Sequence, residues 1–395
     1  MKILQFSKKT PVPPKDGESI AIHQLSKAFR DNNCSLTIFS ILTPKHKKKK
    51  SALYLDGVDY QFGKINTKIS YLDIVKNMFF SNEAYIVERF IDKKIKAKLI
   101  KLIQKQDFDL IQLEGVFLGV YIKYIKKYST AKIILRAHNI EHQIWERLAA
   151  KESYFKALYL NKVMIPRLKK FEDKIAESVD GIVSISSLDE QYFKKLNIKA
   201  KFKTLPAAYE IKKTIEPLPQ DFNVGFIGGL DWQPNAEGIK WFLNSIWKPF
   251  VLKNNKANFN LAGRNFPKKY YDLKHSNLFI YGEVDDAQEF TYQNSVMIAP
   301  ILSGSGMRIK IIEAMALGRT VISTSIGAEG IEYTDKKNIF IADTPEEWIE
   351  ILTELGKDKN KLEQTALEAQ KLIQKKHDIN VLGTELVNFY KKEII

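Results

Sequence analysis

A chain of 395 residues exceeds what one hydrophobic core usually supports, and 45% apolar with 11% aromatic residues suffices for two ordinary cores and excludes global disorder. Its single cysteine, Cys34, excludes an internal disulfide, and no run approaches the ~20 apolar residues of a membrane-spanning helix. The formal charge of +16 is lopsided: residues 1–205 hold 39 Lys and Arg against 21 Asp and Glu, a net of +18, whereas the remainder holds 23 against 25, a net of −2. The first half is therefore expected to meet an anionic surface and the second half not.

In chain order, the first strand is expected at Ile3–Phe6, in an apolar run too short for a signal peptide. Strands follow at Leu36–Ser40, Leu110–Leu113, Lys132–Arg136 and Gly181–Ile185, with helical periodicity at Ile20–Arg30 and Phe90–Gln106. Cys34 lies in an apolar stretch and reads as a buried structural thiol, and Lys47–Lys50 as a solvated loop. Around Leu205–Asp221 periodicity is lost and Pro206, Pro217 and Pro219 collect, as in a linker. A second series then begins, with strands at Val224–Ile227, Phe259–Ala262, Leu278–Tyr281, Val296–Ala299, Thr320–Ser323 and Ile339–Ile341. Strand–helix alternation with nearly continuous apolar strands signals parallel sheets covered on both faces. The fold class is thus α/β, with two Rossmann-like doubly wound domains and ligands expected in a cleft at the strand ends. The expected boundaries are residues 1–205 for the first domain, 206–220 for the linker and 221–375 for the second domain. Residues 376–395 would form a C-terminal helix packing back on the first.

The segment richest in chemistry runs from Pro300 to Gly318. A strand ends at Pro300, a small-residue loop follows, and a helix is expected from near Met307 to Gly318. Backbone amides of Ser303, Gly304, Ser305, Gly306 and Met307 would point from the helix start toward an anion, with the glycines permitting close approach of a phosphate. Arg308 and Lys310 add charge beside that spot, and Glu313, deeper along the helix, has the chemistry to accept hydrogen bonds from a ribose diol. Tight packing alone would explain the glycines, but not Arg, Lys and Glu on a short helix otherwise made of Ile, Ala, Met and Leu.

The run Gly304-Ser-Gly-Met-Arg-Ile-Lys-Ile-Ile-Glu-Ala-Met-Ala-Leu-Gly318 resembles the donor motif of glycosyltransferase family 4, and the resemblance extends over essentially the whole chain. It implies the GT-B fold, in which two Rossmann-like domains face a central cleft. The family motif is usually Glu, seven residues, Glu. The second acid corresponds to Glu313, implied to hold the nucleotide ribose, while the first falls on Ser305, which leaves the donor sugar open. Val224-Gly-Phe-Ile-Gly-Gly-Leu-Asp-Trp-Gln-Pro-Asn235 resembles the family's glycine turn toward the diphosphate, with Gly229 at the turn. No basic residue stands there, so Arg308 and Lys310 are implied to take over the phosphate contacts. By the same resemblance Tyr281 and Val284 are candidate nucleobase contacts, Gly17 is a candidate to approach the donor phosphate or the acceptor, and His138 is implied to contact the sugar near the reacting carbon. His142 would orient its loop, and Glu141 has the chemistry to support either imidazole.

The resemblance implies a retaining transferase in which Arg308, Lys310 and helix-terminal amides stabilise charge growing on the leaving diphosphate. No Asp/Glu pair stands out as nucleophile and acid, which counts against a glycoside hydrolase. No Asp-x-Asp metal signature appears at a strand end, so metal-independent catalysis without a cofactor is expected. The donor would be a UDP or GDP sugar. The acceptor would be a saccharide or lipid-linked glycan in polysaccharide or lipopolysaccharide assembly. Ile86–Gln106 and Lys151–Lys174 mix basic with apolar residues, and Met78-Phe79-Phe80 reads as an exposed tip or core, so a cytoplasmic chain with peripheral contact to anionic membrane is expected. Three other readings share parts of this pattern: a GT-B-type nucleotide-sugar epimerase, a non-catalytic nucleotide-sugar-binding protein and a nucleic-acid binder. The last is disfavoured, because no nucleic-acid-binding module is present and the phosphate-binding residues lie in the half that is not basic.

Overall fold

A computed structural model describes residues 1–14, 16–44, 54–150, 152–206, 208–210, 216–273, 275–304 and 307–395. The Lys47–Lys50 run, Ser305 and Gly306 lie outside the described residues. The chain divides into two compact units, Met1–Ala208 with Ile379–Ile395, and Tyr209–Asp378.

The first unit is built on a seven-stranded sheet: β1 (Lys2–Ser7), β2 (Ser35–Leu42), β3 (Asp59–Lys64), β4 (Leu110–Glu114), β5 (Lys132–Ala137), β6 (Gly181–Ser184) and β7 (Lys201–Thr204). Their order is β3-β2-β1-β4-β5-β6-β7, and every neighbouring pair is parallel. Central strands are buried on both faces, so Ile3, Leu4 and Phe6 have no exposed surface. The edges β3 and β7 are half-exposed and were not expected from the sequence, because Asp-Tyr-Gln-Phe-Gly-Lys and Lys-Phe-Lys-Thr lack an apolar run. One face packs Leu25 and Phe29 of the Gly17–Asp31 helix against Leu382, Leu386 and Tyr390 of the C-terminal segment. The approach there is close: a Cβ on Gly383 would stand 2.4 Å from that of Ala28. Cys34 is buried in the same layer. The second candidate helix begins later than expected, at Lys93, where the Asp92 carboxylate caps the amides of Lys94 and Ile95.

The second unit carries a six-stranded parallel sheet: β8 (Asn223–Ile227), β9 (Asn258–Ala262), β10 (Leu278–Gly282), β11 (Val296–Ala299), β12 (Thr320–Ser323) and β13 (Phe340–Ile341), ordered β10-β9-β8-β11-β12-β13. Its core packs Phe242, Trp247, Phe259 and Trp348 together at centroid distances of 5.0–6.3 Å. Arg319, also fully buried, donates to the carbonyls of Glu216, Pro217, Tyr292 and Gly318 and so ties the entering chain to the sheet.

In each sheet the strand order reverses once, between β1 and β4 in the first and between β8 and β11 in the second. Chains leave a doubly wound sheet in opposite directions at such a point, opening a crevice beyond the carboxyl ends of the strands.

Candidate active site

The switch point of the second unit gathers the Pro300 loop, the glycine turn after β8 and the start of the Ile309–Ala316 helix. The turn is forced to be small. A Cβ on Gly228 would lie 3.2 Å from Lys310 Nζ and 2.8 Å from Asn235 Nδ2, and one on Gly263, whose φ is +148°, would lie 2.1 Å from the Gly228 carbonyl oxygen. Asn235, near the start of the Gln233–Trp241 helix, donates to Gly229 O at 2.8 Å and accepts from Lys310 Nζ at 2.8 Å. That helix lies against the Pro300 loop so closely that a Cβ on Gly238 would stand 1.9 Å from Pro300 O. Ser303 Oγ donates to Glu237 Oε2 at 3.0 Å, fastening the loop to the same helix.

The helix starts at Ile309, two residues after the expected Met307, and Gly318 follows it at φ +67°, a conformation suited to glycine beyond a helix end. Gly304 is exposed at φ +104°, with Arg308 Nη2 3.2 Å from where its Cβ would be. Met307 is half-buried. The Arg308 guanidinium is buried 5.2 Å from the centroid of the Trp232 ring, and Lys310 Nζ is 4.1 Å from that of Phe226. Burial, reinforced by Arg308 and opposed by Glu313, lowers the Lys310 ammonium to about 7. Burial likewise raises Glu313 to about 7, with Lys310 opposing. Buried Tyr209 lies near enough to feel the Glu313 charge, and its hydroxyl accepts from Gln288 Nε2 at 2.9 Å. Tyr281 is at the end of β10 with its ring edge-on to Phe290, and Val284 is half-buried in the turn beyond. Gly229, Ser303, Gly304, Arg308, Lys310 and Glu313 thus belong to one neighbourhood, whereas Tyr281 and Val284 sit at the edge strand, two strands from β8.

The first unit's switch point is organised around buried charge. His138 follows β5, and its Nε2 lies 2.8 Å from Glu114 Oε2 at the end of β4. The fully buried Glu114 also accepts from Gln5 Nε2 at 2.6 Å and Gln112 Nε2 at 2.5 Å, while Tyr390 Oη donates to Gln112 Oε1 at 2.6 Å. His138 Nδ1 is buried with no hydrogen-bond partner. Glu141 hydrogen-bonds neither imidazole. Its carboxylate faces Lys8 at 3.7 Å, and His142 Nδ1 pairs instead with Glu172 Oε2 at 2.6 Å. Gly17 opens its helix exposed, but the Asp16 carboxylate caps that end through Ser19 N at 2.9 Å and takes Lys9 Nζ at 2.7 Å. Lys8 and Lys9 both reach Glu18, at 3.3 and 2.9 Å. Burial pushes Glu18 upward, yet the ammonium groups of Lys8 and Lys9 outweigh it and bring the carboxyl to about 2.

Sequence reasoning missed Glu114, Gln5, Asn235 and Tyr209. An acid and two glutamines inside otherwise apolar strands are the signal that marks the first group, and Asn235 stands in the Trp-Gln-Pro-Asn stretch already singled out. Nothing local marks Tyr209.

Two parallel-sheet Rossmann-like units give the chain the GT-B fold of known glycosyltransferases. Residues 221–358, all within the second unit, match the family described as Glycosyl transferases group 1. The chain is 26% identical over 332 residues, covering 77% of itself and 82% of the relative, to an uncharacterized 44.6 kDa protein in the cps region of Klebsiella pneumoniae. Its fold is similar to sucrose-phosphate synthase from Thermosynechococcus elongatus, at TM-score 0.70 and 14% identity over 99% of both chains. It is also similar to a S. aureus TarM variant in complex with fondaparinux, alpha-GlcNAc-glycerol and UDP, at TM-score 0.70 and 12% identity over 99% of this chain and 100% of that one. Among the described residues no helix is long and apolar enough to cross a membrane.

Proposed function

We propose that this glycosyltransferase moves a hexosyl group, with retention of anomeric configuration, from a UDP or GDP sugar to a saccharide or lipid-linked acceptor of cell-surface polysaccharide or lipopolysaccharide. The cps-region relative and the UDP complex of TarM support that class of reaction. The observation that carries the reading is the assembly of Arg308, Lys310 and Glu313 beside the Gly228–Gly229 turn and the Pro300 loop.

As the bond from the sugar to the diphosphate breaks, negative charge grows on the leaving group. Arg308 and Lys310 stabilise it from a desolvated position, where each charge counts for more than in water. Asn235 holds the Lys310 ammonium against the glycine turn, so that it needs little reorganisation on binding. Glu313 accepts from the ribose hydroxyls. These groups meet the developing charge without a metal ion. His138, with Nε2 on Glu114, is the proposed sugar contact of the first unit, and Glu114 is its positioning residue.

Calorimetric titration with UDP and GDP tests the donor site. Micromolar binding of one nucleotide, lost in Arg308→Ala and in Glu313→Ala, is expected. No binding of either nucleotide refutes the transferase reading.

A further inference from the structure

The Tyr71–Phe80 helix is built inside out. Its one buried side chain is Asn77, whose amide donates to Glu83 O at 3.0 Å and Glu88 Oε2 at 2.7 Å. At 100° per residue, Tyr71, Leu72, Val75 and Phe79 fall within roughly a 100° arc, the ordinary width of a core-facing stripe, yet this arc faces water. Tyr71 is 85% exposed, Leu72 75% and the adjoining Phe80 88%. The orientation is fixed from below: Arg167 donates to the carbonyls of Asn77 and Met78 at 3.1 Å each, and Tyr85 Oη accepts from Ser70 N at 3.0 Å.

Arg167 belongs to the Ile165–Glu177 helix, which continues the Tyr154–Tyr159 helix through a π-helical turn at Leu160–Met164. That N-terminal helix buries none of its side chains, and Phe155 is 82% exposed. Apolar surface of this extent costs free energy in water and marks a surface that something covers. Charge narrows what that is. Lys76 on the first helix and Lys162 along the second stretch are exposed near the aromatics, as is Lys156, which pairs with Glu152 at 2.6 Å. The one exposed acid of the first helix is Asp73, and all lie within a half of the chain carrying a net +18. Aromatic and aliphatic side chains flanked by lysines suit the boundary between acyl chains and anionic headgroups.

We propose that the Tyr71–Phe80 and Tyr154–Tyr159 helices form an interfacial docking face that seats the first unit on an anionic lipid bilayer. Aromatic side chains enter the headgroup layer and lysines lie against the lipid phosphates. The inference does not rest on the nucleotide-sugar reading.

The test is co-sedimentation of the full-length chain with vesicles of phosphatidylcholine, alone or with about one-third phosphatidylglycerol. Binding to the anionic vesicles at least about tenfold tighter than to neutral ones is expected, since each basic residue near such a surface contributes roughly fivefold. Leu72→Ser combined with Phe79→Ser lowers that binding by at least about tenfold. Both positions are exposed, so the variant keeps its melting temperature. The proposal is overturned if the wild type ignores anionic lipid or the double variant binds undiminished. It is equally overturned if sedimentation velocity shows a dimer that the variant abolishes while vesicle binding is absent. Nucleotide titration of the same samples reads the donor site separately, so loss of one reading leaves the other standing.

Discussion

Glu114→Gln isolates what the buried carboxylate does for His138. The carboxylate Oε1 accepts from two glutamine amides and Oε2 meets His138 Nε2 at 2.8 Å, while Tyr390 fixes the Gln112 amide in the donating direction. An ionised carboxylate can only accept, so the imidazole proton sits on Nε2 and Nδ1 presents a lone pair. In Glu114→Gln the carboxamide oxygen keeps the two glutamines and its NH₂ group turns to His138. The imidazole must then accept at Nε2 and carry its proton on Nδ1, a buried atom without a partner.

A buried, unbonded N–H costs about 1–3 kcal/mol, and replacing a charge-assisted bond with a neutral one about 1 kcal/mol more, so a destabilisation of about 2–4 kcal/mol is expected. Glu114→Ala orphans three donors and costs at least about 4 kcal/mol. Urea unfolding measures both, and long-range proton–nitrogen correlation spectra of the histidine rings report the tautomer. Glycosyl transfer should slow while nucleotide affinity is unchanged, because Glu114 lies in the first unit. An Nε2–H tautomer retained in Glu114→Gln, or a cost below about 0.5 kcal/mol, refutes the reasoning.

Glu313, raised to about 7 in the folded chain, binds more protons there than when unfolded, so it lowers stability as pH rises from its ordinary value of 4.5 to about 7. Glu313→Gln should flatten the dependence of melting temperature on pH across that window, raise it at pH 8 and weaken nucleotide binding. Lys310, lowered to about 7, leaves the unfolded chain holding the extra proton between about 7 and 10.5, so its contribution makes stability rise with pH there. Lys310→Met should therefore melt higher near pH 7.5 yet bind UDP about thirtyfold more weakly, as calorimetry would show. Arg319→Ala removes a fully buried donor to four carbonyls and should cost about 3 kcal/mol or more in urea unfolding, with Arg319→Lys restoring only part. Gly238→Ala would drive a Cβ to 1.9 Å from Pro300 O, so thermal unfolding should show a lowered melting temperature and titration a weakened donor site.

The central strands were legible because burial on both faces demands apolar runs. The first sheet's edge strands, Asp59–Lys64 and Lys201–Thr204, answer to water, lack an apolar run and were not expected. Helix ends depended on caps: Asp92 starts the Lys93–Lys105 helix inside a longer apolar pattern that had suggested Phe90. The residue types around the donor loop were visible as a local motif, since they sit within a few positions of one another. Their partners were not. Asn235 is 75 residues from Lys310, and Gln5 is 109 from Glu114, so only the sheet order brings them together. The Tyr71–Phe80 helix shows the same limit in reverse. Its periodicity is that of a core-facing helix, and only the hydrogen bonds of Asn77 and Arg167 reveal which side faces inward.

Net charge and site charge point in opposite directions in this chain, and the geometry explains how. The first half carries the positive excess, but at its switch point Lys8 and Lys9 are matched by Asp16, Glu18 and Glu141. Most of its other lysines are exposed, many of them on outer helices. The second half is nearly neutral, yet its switch point places Arg308 and Lys310 against one carboxylate in a desolvated setting. Burying these charges works against folding, as the opposed shifts of Lys310 and Glu313 record. A ligand that brings a diphosphate to the cations and hydroxyls to the carboxylate relieves both strains at once.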